Sequence, residues 1–376
     1  MLNFVAVVKK NIGLLRNDLS RNHSNYIFFV TSKCNQACEF CFYRDSINKS
    51  PDLSLEEIKL LSLKMGDVSN VLFSGGEPIL RKDLLDIIDL FVVNNKMKSL
   101  TIPSNGMVPE LICGVAKNIL NKYPEIILQV CISLDGTEKL HDKLRGIKGA
   151  YKNAMESIKT LEKLAKQNKK LSFNINTVIN PANILLMDEI IQEVKCLGMK
   201  CYTHSFEIAR PKNISDKNFL FEDVNKLKKV YNEIIKYKDS LYCCGIKGSF
   251  FEKLILGALH YANIYSLYKI QYDYLIKGKK WPIQCCAGLD NNVIYNNGDI
   301  AICELQKPIG NIKNIPKEKR LSDVFEEGRS SSMNCCCTHI CYVLLSMYKS
   351  KKMILGIMPV RAIRYFFAKI KLIDYF

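Results

Sequence analysis

Long apolar runs are missing from this sequence of 376 residues, and acidic residues are scarce. A membrane-spanning helix needs about 20 consecutive apolar residues, so a multi-span membrane protein is excluded. The apolar patch at residues 4–8 is short, and Lys9 and Lys10 follow it rather than precede it, which predicts no export signal. Hydrophobic residues make up 48% and charged residues 24% of the chain, which also excludes a disordered or low-complexity protein.

The shortage of acids leaves a formal net charge of +17, from 54 Lys and Arg against 37 Asp and Glu. This charge alone identifies no partner. The net charge is compatible with binding to nucleic acid, to an anionic membrane or to an acidic substrate. It is equally compatible with a Lys-rich surface that is simply solvated. Cysteine, by contrast, is abundant, with 16 residues. An intracellular chain of this length does not need disulfides for its core, so clustered thiols indicate metal binding or catalysis.

Short apolar stretches alternate with helical patterns over roughly the first half of the chain. The predicted strands are residues 26–31, 71–73, 100–103, 127–134, 171–179 and 200–208. The predicted helices are residues 54–65, 82–93, 110–120, 151–166 and 183–197, the first with a capping box from Ser54 to Glu57. Mostly apolar strands separated by helices predict a parallel α/β sheet covered on both faces, either open or a partial barrel. Ligands are then expected at the carboxyl ends of the strands.

Three cysteines, Cys34, Cys38 and Cys41, follow the first predicted strand within eight residues. A structural zinc site normally has four ligands, and no nearby Cys or His supplies the fourth. A loop with three thiolates is better suited to a [4Fe–4S] cluster with one iron open to an exchangeable ligand, because such clusters otherwise take four cysteines. The spacing therefore predicts an iron–sulfur cluster at this loop.

The same loop resembles that of the radical S-adenosylmethionine (SAM) enzymes, in which an aromatic residue such as Phe40 precedes the third cysteine. Residues 74–78, SGGEP, resemble the Gly-Gly-Glu-Pro segment of that family. The resemblance implies that Gly75, Gly76 and Glu77 hold the methionine amine of SAM, with the carboxylate of Glu77 facing the ammonium group. Glycine here would let backbone approach a ligand closely.

Two further strand ends extend the resemblance. Asn105 lies in a turn, residues 103–106, that resembles the Thr-Asn-Gly turn of the family, with an ordinary Asn-Gly turn as the alternative. Ser133 and Arg145 keep the spacing of a serine and an arginine that contact SAM in the sulfatase-maturating and peptide-modifying branch. An arginine can bind a carboxylate with two parallel hydrogen bonds, which a lysine cannot. The resemblance covers residues 26–208 and implies a partial (β/α)6 TIM-like barrel.

Seven more cysteines lie between Cys285 and Cys341. Cys286 and Cys303, with Gly298 five positions before Cys303, resemble part of the family's SPASM and twitch extensions, and the intervening residues predict a hairpin around an Asn-Gly turn. Residues 335–341 resemble a Cys-x-Cys-Thr-His-x-Cys ending found in some of these enzymes.

The second resemblance implies one auxiliary [4Fe–4S] cluster, with the preferred ligands Cys286, Cys303, Cys337 and Cys341. The spacing does not decide among Cys335, Cys336, Cys337 and Cys341. A structural zinc ribbon is the alternative. One auxiliary cluster is expected rather than two, because no cysteine follows Cys341.

Glu304 directly follows Cys303. In the sulfatase-maturating relatives an acidic residue at the matching position is the general base for the substrate, so the resemblance implies a catalytic role for Glu304. This sequence has Glu where those relatives have Asp, and an exposed loop carboxylate is the alternative. His204 and Glu207, at the end of the sixth predicted strand, are further candidates to face the cavity.

These observations together predict a barrel followed by a helical linker and a small Cys-rich extension. The expected domains are an N-terminal segment at 1–23, a radical SAM core at 24–210, a helical linker at 211–283, a SPASM/twitch-like auxiliary cluster domain at 284–345 and a basic amphipathic tail at 346–376. The resemblance implies an enzyme that cleaves SAM reductively to a 5′-deoxyadenosyl radical. That radical would oxidise or cross-link a peptide or carbohydrate-type substrate by hydrogen abstraction.

Two alternative functions remain at this level. The net charge suggests a radical SAM enzyme that modifies nucleic acid, although no RNA-binding module is recognisable. An iron–sulfur scaffold or electron carrier would explain the cysteines but not the SGGEP segment. We expect SAM, a substrate and an electron donor such as flavodoxin or ferredoxin as partners, no nucleic acid, and a cytoplasmic location.

The tail is basic and apolar. Residues 349–376 hold seven Lys and Arg against one acid, Asp374. Its apolar residues recur at helical spacing, at Ile363, Phe366, Phe367 and Ile370. Such a helix can lie on an anionic membrane surface, although Pro359 is expected to interrupt the segment. The alternative is that the aromatic face packs against the barrel.

Overall fold

The structure is a computed structural model that describes residues 24–199, 202–210, 224–245, 249–316, 318–329 and 337–369. The described residues form two compact units. One, here called the sheet unit, comprises those within Asn22–Phe219 and Ala287–Ser332. The other, the helical unit, comprises those within Leu220–Cys286 and Met333–Phe376. The predicted domain boundaries group the chain differently and stay predictions.

The sheet unit is built on a sheet of nine strands in the order β6-β5-β4-β3-β2-β1-β7-β8-β9. The six predicted strands are present as β1 Ser24–Thr31, β2 Val68–Gly75, β3 Ser99–Ser104, β4 Ile127–Ser133, β5 Leu171–Ile179 and β6 Tyr202–Ile208. Each pairs in parallel with the next along the chain. The start of the predicted sixth strand, residues 200 and 201, lies outside the described residues. Parallel strands point their carboxyl ends to one edge of the sheet, which is where ligands are expected.

The helices of the described residues are α1 Leu55–Met65, α2 Leu84–Asn95, α3 Pro109–Lys122, α4 Glu138–Arg145, α5 Ala150–Gln167, α6 Met187–Cys196, α7 Val224–Gly245, α8 Phe250–Lys277, α9 Leu321–Gly328, α10 Ile340–Lys349 and α11 Met358–Lys369. The predicted capping box begins α1, because Ser54 and Glu57 accept each other's backbone N–H groups. Helix α4 was not predicted. It is only eight residues long and ends at Gly146, whose φ of 69° suits glycine.

Apolar side chains of the central strands form the core of the sheet unit. In β1 the residues Tyr26 to Val30 are all buried, as expected for a strand covered on both faces. In β3 and β4 burial alternates along the strand, with Leu100 and Ile102 at the buried positions of β3. The alternating pattern leaves the opposite side of these strands less covered, beside the cavity described below.

The predicted hairpin is present as β7 Asn291–Ile294 and β8 Asp299–Ala301, which pair antiparallel. Gly298 in its turn has a φ of 93°, a left-handed conformation that side chains disfavour. The structure adds a feature that was not predicted: β7 also pairs in parallel with β1, and the hairpin and the short β9 Gly310–Asn311 thus extend the main sheet. A parallel pairing between distant segments leaves no local sequence signal.

The helical unit packs the C-terminal helix α11 against α8. Ala362 and Tyr365 of α11 are buried with Ala258 and Ala262 of α8. The hydroxyl of Tyr365 donates a hydrogen bond to Asp239 of α7 at 2.9 Å. A π-helical turn, Lys352–Ile357, leads directly into α11, which contains Pro359. The expected interruption at Pro359 is therefore absent, and the chain is helical on both sides of it. Among the described helices, none combines the length and the hydropathy that crossing a membrane requires.

Candidate functional site

A cavity of about 490 Å³ lies at the carboxyl ends of strands β1 to β4 in the sheet unit. Almost all of the predicted SAM-site residues line it: Cys34, Cys38, Cys41, Gly75, Gly76, Glu77, Asn105, Ser133 and Arg145. They come from four strand ends and one helix, and the parallel sheet gathers them because all of these strands end at the same edge. Phe40 is not among the lining residues.

The cysteine loop is held in shape by Asn48. The N–H of Cys34 donates to Oδ1 of Asn48 at 3.0 Å, and Nδ2 of Asn48 donates to the carbonyl of Cys34 at 3.1 Å. Asn48 has a positive φ of 59°, which asparagine tolerates better than most residues. The loop also bonds to the end of the unpredicted helix α4: the N–H groups of Ala37 and Glu39 donate to the carbonyls of Arg145 and Leu144. The structure thus closes the three cysteines into one braced loop.

The environment of the three thiols fits a metal–sulfur cluster. Burial raises the pKa of Cys34 to about 11, with smaller contributions from Glu77 and the other two cysteines, and burial raises that of Cys41 too. Thiolates at such a site need positive charge beside them, which iron supplies. Polar hydrogens already point at the sulfurs: the N–H of Gln36 is 3.4 Å from Sγ of Cys34. No three His, Cys, Asp or Glu side chains within the described ranges form a ready site for a single metal ion.

Gly75 and Gly76 allow two backbone segments to pass closely. A Cβ added to Gly75 would lie 2.2 Å from the carbonyl oxygen of Thr31, and one added to Gly76 would lie 2.1 Å from that of Lys33. The N–H of Gly76 donates to Thr31 and that of Glu77 donates to Lys33, at 2.8 and 2.7 Å. The close approach is therefore to the chain entering the cysteine loop. A contact between these glycines and SAM stays a prediction.

Glu77 is a buried carboxylate, 1% exposed. Its oxygens accept hydrogen bonds from the N–H groups of Asn105 at 2.6 Å and Ile79 at 3.3 Å. Burial raises the pKa of Glu77 to about 7, and these hydrogen bonds offset part of that rise. A ligand ammonium group beside Glu77 would favour its charged form, so the site fits the predicted contact with an amine. Asn105 also bonds through Nδ2 to Asn35 of the cysteine loop at 2.7 Å.

Arg145 is held by Asp135, a residue to which the sequence assigned no role. Nε and Nη2 of Arg145 both donate to Oδ2 of Asp135, and Asp135 is fully buried. Nη1 of Arg145 lies 3.7 Å from Sγ of Cys38, and its guanidinium lies 5.4 Å from the centre of the Phe40 ring. Burial opposes the charge of Arg145, but Asp135 and Cys38 outweigh it and raise its pKa. In this arrangement one edge of the guanidinium is already occupied, and the predicted bidentate contact with SAM stays a prediction.

Asp135 connects this pair to the rest of the strand ends. Its Oδ1 accepts the N–H of Val178 at 2.7 Å, and its own N–H donates to Nδ1 of His141 at 3.0 Å. Burial lowers the pKa of His141 to about 4, so the ring is neutral at physiological pH. Ser133 lies at the end of β4 opposite Asn176 of β5. The sequence did not reveal this role of Asp135, because nothing in its motif, SLDG, indicates whether the aspartate pairs with an arginine or only forms a turn.

Glu304 and Arg210 form a second, separate cluster in the sheet unit. The side chain of Glu304 is only 3% exposed, so it is not an exposed loop carboxylate. Nη1 of Arg210 donates to Glu304 at 2.8 Å, and Nη2 lies 3.5 Å from Glu207. The guanidinium of Arg210 lies 4.4 Å from the centre of the ring of Phe42, a residue that lines the cavity. Arg210 was missed because it follows the sixth strand without a recognisable motif.

His204 was a further candidate to face the cavity. It is 1% exposed, its Nε2 lies 2.9 Å from Oγ1 of Thr177, and its ring stacks on Phe206. Thr177 in turn donates to the carbonyl of Leu134 at 2.6 Å. His204 is therefore buried among the side chains of the sheet unit and is not one of the residues that line the cavity.

The auxiliary cysteines divide between the two units. Cys303 is buried in the sheet unit, whereas Cys286, Cys337 and Cys341 belong to the helical unit. The N–H of Cys286 donates to Ser346 at 3.0 Å, and Nε1 of Trp281 donates to the carbonyl of Cys337 at 3.0 Å. Cys335 and Cys336 lie outside the described residues. The ligand set of an auxiliary cluster stays a prediction.

The chain is similar in sequence to several curated proteins. Curated relatives include an AdoMet-dependent heme synthase of Oleidesulfovibrio alaskensis, 27% identical over 45% of this chain and 42% of its own. Another is the sporulation killing factor maturation protein SkfB of Bacillus subtilis, 26% identical over 45% of this chain and 39% of its own. The chain spans less than half the length of these two relatives.

Solved structures share the fold over most of the chain. anSMEcpe with bound AdoMet and Cp18Cys peptide has a TM-score of 0.57 at 15% identity, covering 94% of this chain and 98% of its own. Streptococcus suis SuiB bound to S-adenosylmethionine has a TM-score of 0.51 at 17% identity, covering 92% and 79%. The radical SAM superfamily matches residues 28–180, the span that contains the cysteine loop and every residue predicted to contact SAM. Over this span, which is less than half of the chain, the sequence is similar to the radical SAM superfamily.

Proposed function

We propose that this chain is an enzyme that cleaves SAM reductively and uses the resulting 5′-deoxyadenosyl radical to oxidise or cross-link a peptide. The observation that carries the proposal is the single cavity that gathers the three cysteines, Glu77 and Arg145. The choice of a peptide is supported by relatives of that kind: SkfB is a maturation protein, and anSMEcpe was solved with a peptide. A carbohydrate-type substrate is the second candidate.

Cys34, Cys38 and Cys41 would hold the [4Fe–4S] cluster, which when bound supplies the electron for SAM cleavage. Glu77 would pair with the amine of SAM, whose positive charge would offset the effect of burial and favour the charged carboxylate. Arg145, fixed by Asp135, would place positive charge beside Cys38 and the SAM carboxylate. The walls of the cavity would exclude water from the radical, a role that belongs to the protein rather than to the cofactor.

Glu304 is proposed as the base that accepts a proton from the substrate. Because Nη1 of Arg210 donates to it at 2.8 Å, the carboxylate of Glu304 is held in a fixed orientation, as a positioned proton acceptor requires. Arg210 is therefore proposed as the positioning residue of Glu304.

The test of this function is anaerobic incubation of the protein with SAM, a one-electron reductant and the short peptides encoded by neighbouring genes. We expect 5′-deoxyadenosine together with a peptide lighter by two hydrogens, measured by mass spectrometry. Formation of 5′-deoxyadenosine with glycans but with no peptide would favour the carbohydrate-type substrate. Absence of 5′-deoxyadenosine from protein with a full cluster would leave the iron–sulfur scaffold as the better explanation.

An auxiliary [4Fe–4S] cluster is also proposed, with Cys303 among its ligands. We expect anaerobically purified protein to carry about eight irons and Cys303→Ala to carry about four, because each cluster holds about four. Iron analysis measures the iron content of both proteins, and the visible absorbance of the iron–sulfur clusters measures how much cluster each protein holds. Cys196→Ala, which removes an exposed cysteine outside both clusters, is the matched control and keeps about eight. A content of about four irons in all three proteins would contradict the proposal of an auxiliary cluster.

Arg145 gives a separate prediction about SAM. Arg145→Lys is expected to weaken SAM binding by about tenfold without changing iron content, because lysine cannot bond to Asp135 and reach the ligand with the same fixed fork. Isothermal titration under anaerobic conditions measures the affinity. Arg44→Lys, an exposed arginine that lines the same cavity, is the control and leaves the affinity within about twofold. Equal affinity in all three proteins would contradict the role of Arg145.

The remaining parts of the proposal concern partners and place. A flavodoxin or a ferredoxin is proposed as electron donor, and the cytoplasm as the compartment, with peripheral membrane contact through the tail. No nucleic-acid partner is proposed. A nucleic-acid-modifying enzyme stays the alternative among radical SAM enzymes, supported only by the net charge of +17.

A further inference from the structure

The C-terminal helix has two apolar sides, and only one of them packs inside the helical unit. Ala362 and Tyr365 face α8 and α7, as described above. Four other large apolar side chains form what is here called the outer tail face: Leu355, Val360, Ile363 and Phe367 are 73, 51, 54 and 40% exposed. Val360, Ile363 and Phe367 recur at intervals of three and four residues, so they share one side of α11. This side is opposite the one that carries Ala362 and Tyr365.

The predicted amphipathic stripe is thus corrected in detail. Ile363 and Phe367 lie outward, whereas the side chain that anchors the helix is Tyr365, with Arg361 bonding to Ser266 and lying over the ring of Tyr265. Ile370 lies outside the described residues. Because the helix is already anchored by its other side, the outer tail face is not required to complete the packing of the helical unit.

The charged residues along this C-terminal segment have one sign. From residue 337 to residue 369 the sequence contains no Asp or Glu and six basic residues: Lys349, Lys351, Lys352, Arg361, Arg364 and Lys369. Lys351, Lys352 and Arg364 are exposed. A protein partner ordinarily meets a surface of mixed charge, whereas a lipid surface rich in anionic headgroups is uniformly negative and apolar beneath. An apolar stripe on a segment whose own Lys and Arg residues face no acid of that segment complements the latter.

We propose that the outer tail face docks onto an anionic membrane surface, with Val360, Ile363 and Phe367 entering the interface and Lys351, Lys352 and Arg364 pairing with lipid headgroups. The proposal rests on the tail alone and holds whether or not the radical chemistry proposed above is correct. It would keep the protein at the membrane surface. Each cation near the surface and each buried apolar side chain adds to the affinity, so both kinds of residue are open to test.

The experiment is co-sedimentation of full-length protein with vesicles of phosphatidylcholine, with or without phosphatidylglycerol. We expect the protein to pellet with the anionic vesicles at low salt, and to be released by high salt or by omission of phosphatidylglycerol. Val360→Glu with Ile363→Glu is expected to weaken binding more than about tenfold. The control pair is Leu60→Glu with Leu63→Glu, which has the same spacing on α1 and equally large exposure, 63% for each, and is expected to bind like the parent protein.

A second pair of variants tests the cations. Lys351→Glu with Lys352→Glu is expected to weaken binding more than about tenfold, since each lysine near an anionic surface adds to the affinity and each glutamate is repelled by it. Lys279→Glu with Lys280→Glu, an exposed pair elsewhere in the same unit, changes the net charge equally and is the control. Unfolding midpoints measured by circular dichroism confirm that all four variants fold.

Three results would overturn the proposal. The parent protein could stay in the supernatant with anionic vesicles at low salt. The test and control pairs could lose binding equally, which would make the effect one of net charge. Gel filtration without vesicles could show that Val360→Glu with Ile363→Glu converts an oligomer to a monomer, in which case a second copy of the chain covers the outer tail face.

Discussion

Replacing Cys41 by alanine is expected to reduce SAM cleavage to the level of a protein-free blank. Cys41 is one of only three thiols in the loop, and a cluster held by two cysteines lacks the third protein ligand that fixes it beside the cavity. Anaerobic purification, iron analysis and quantification of 5′-deoxyadenosine measure the result. We expect iron to fall by about four per chain along with the activity, because the cluster is lost rather than altered.

Two controls sharpen this prediction. Cys196→Ala removes an exposed cysteine at the end of α6, far along the chain from the loop, and should leave both iron and activity unchanged. The unfolding midpoint of Cys41→Ala should be compared in the metal-free state, where the substitution removes a half-buried thiol and little else. Full SAM cleavage by Cys41→Ala would contradict the assignment of the cluster to this loop.

The sequence could predict those residues of the site that belong to short motifs at strand ends. Cys34, Glu77, Asn105 and Ser133 each follow or end a strand of the parallel sheet, and knowing that strand ends meet was enough to place them in one cavity. The strands themselves were predictable because their apolar runs are local. Boundaries differed by a few residues, as at β2, which extends over Val68–Gly75 rather than 71–73.

What the sequence could not supply are pairings between distant residues. Asp135 and Arg145 lie ten positions apart, and nothing in either residue indicates that one fixes the other. Arg210 and Glu304 are separated by 94 positions, and their ion pair depends on the sheet that brings β6 and the hairpin into one unit. The parallel pairing of β7 with β1 is of the same kind. Each depends on tertiary structure, for which a single sequence carries no periodic signal.

The glycines of the SGGEP segment make a close backbone contact that the sequence did not indicate. Their close approach to a ligand stays a prediction, and in the structure Gly75 and Gly76 lie against the backbone of Thr31 and Lys33. The same close approach aligns Glu77, whose N–H donates to Lys33, with the start of the cysteine loop. The motif therefore couples the acid predicted to bind SAM to the cysteines predicted to bind iron.

Gly76→Ala tests that coupling and is expected to impair both stability and cluster assembly. The added Cβ would meet three backbone atoms within 3 Å, among them the carbonyl oxygen of Lys33 at 2.1 Å and that of Ser32 at 2.8 Å. No flexible side chain can move out of the way, so either the end of β2 or the cysteine loop must shift. We expect a loss of about 1–3 kcal/mol in the free energy of unfolding, typical of overpacking, measured in urea on the metal-free protein. Iron content should fall as well.

Gly114→Ala is the matched control for this substitution. Gly114 lies inside helix α3, and a Cβ there would meet no atom within 4 Å. Alanine in a helix interior is favoured over glycine by about 0.5–1 kcal/mol, so this variant should be more stable than the parent protein and carry the same iron. The two variants make the same chemical change with opposite expected signs, which separates a steric effect at residues 31–33 from any general cost of adding a methyl group. If Gly76→Ala matched Gly114→Ala in stability and iron content, the strand end and the cysteine loop would not be coupled through Gly76.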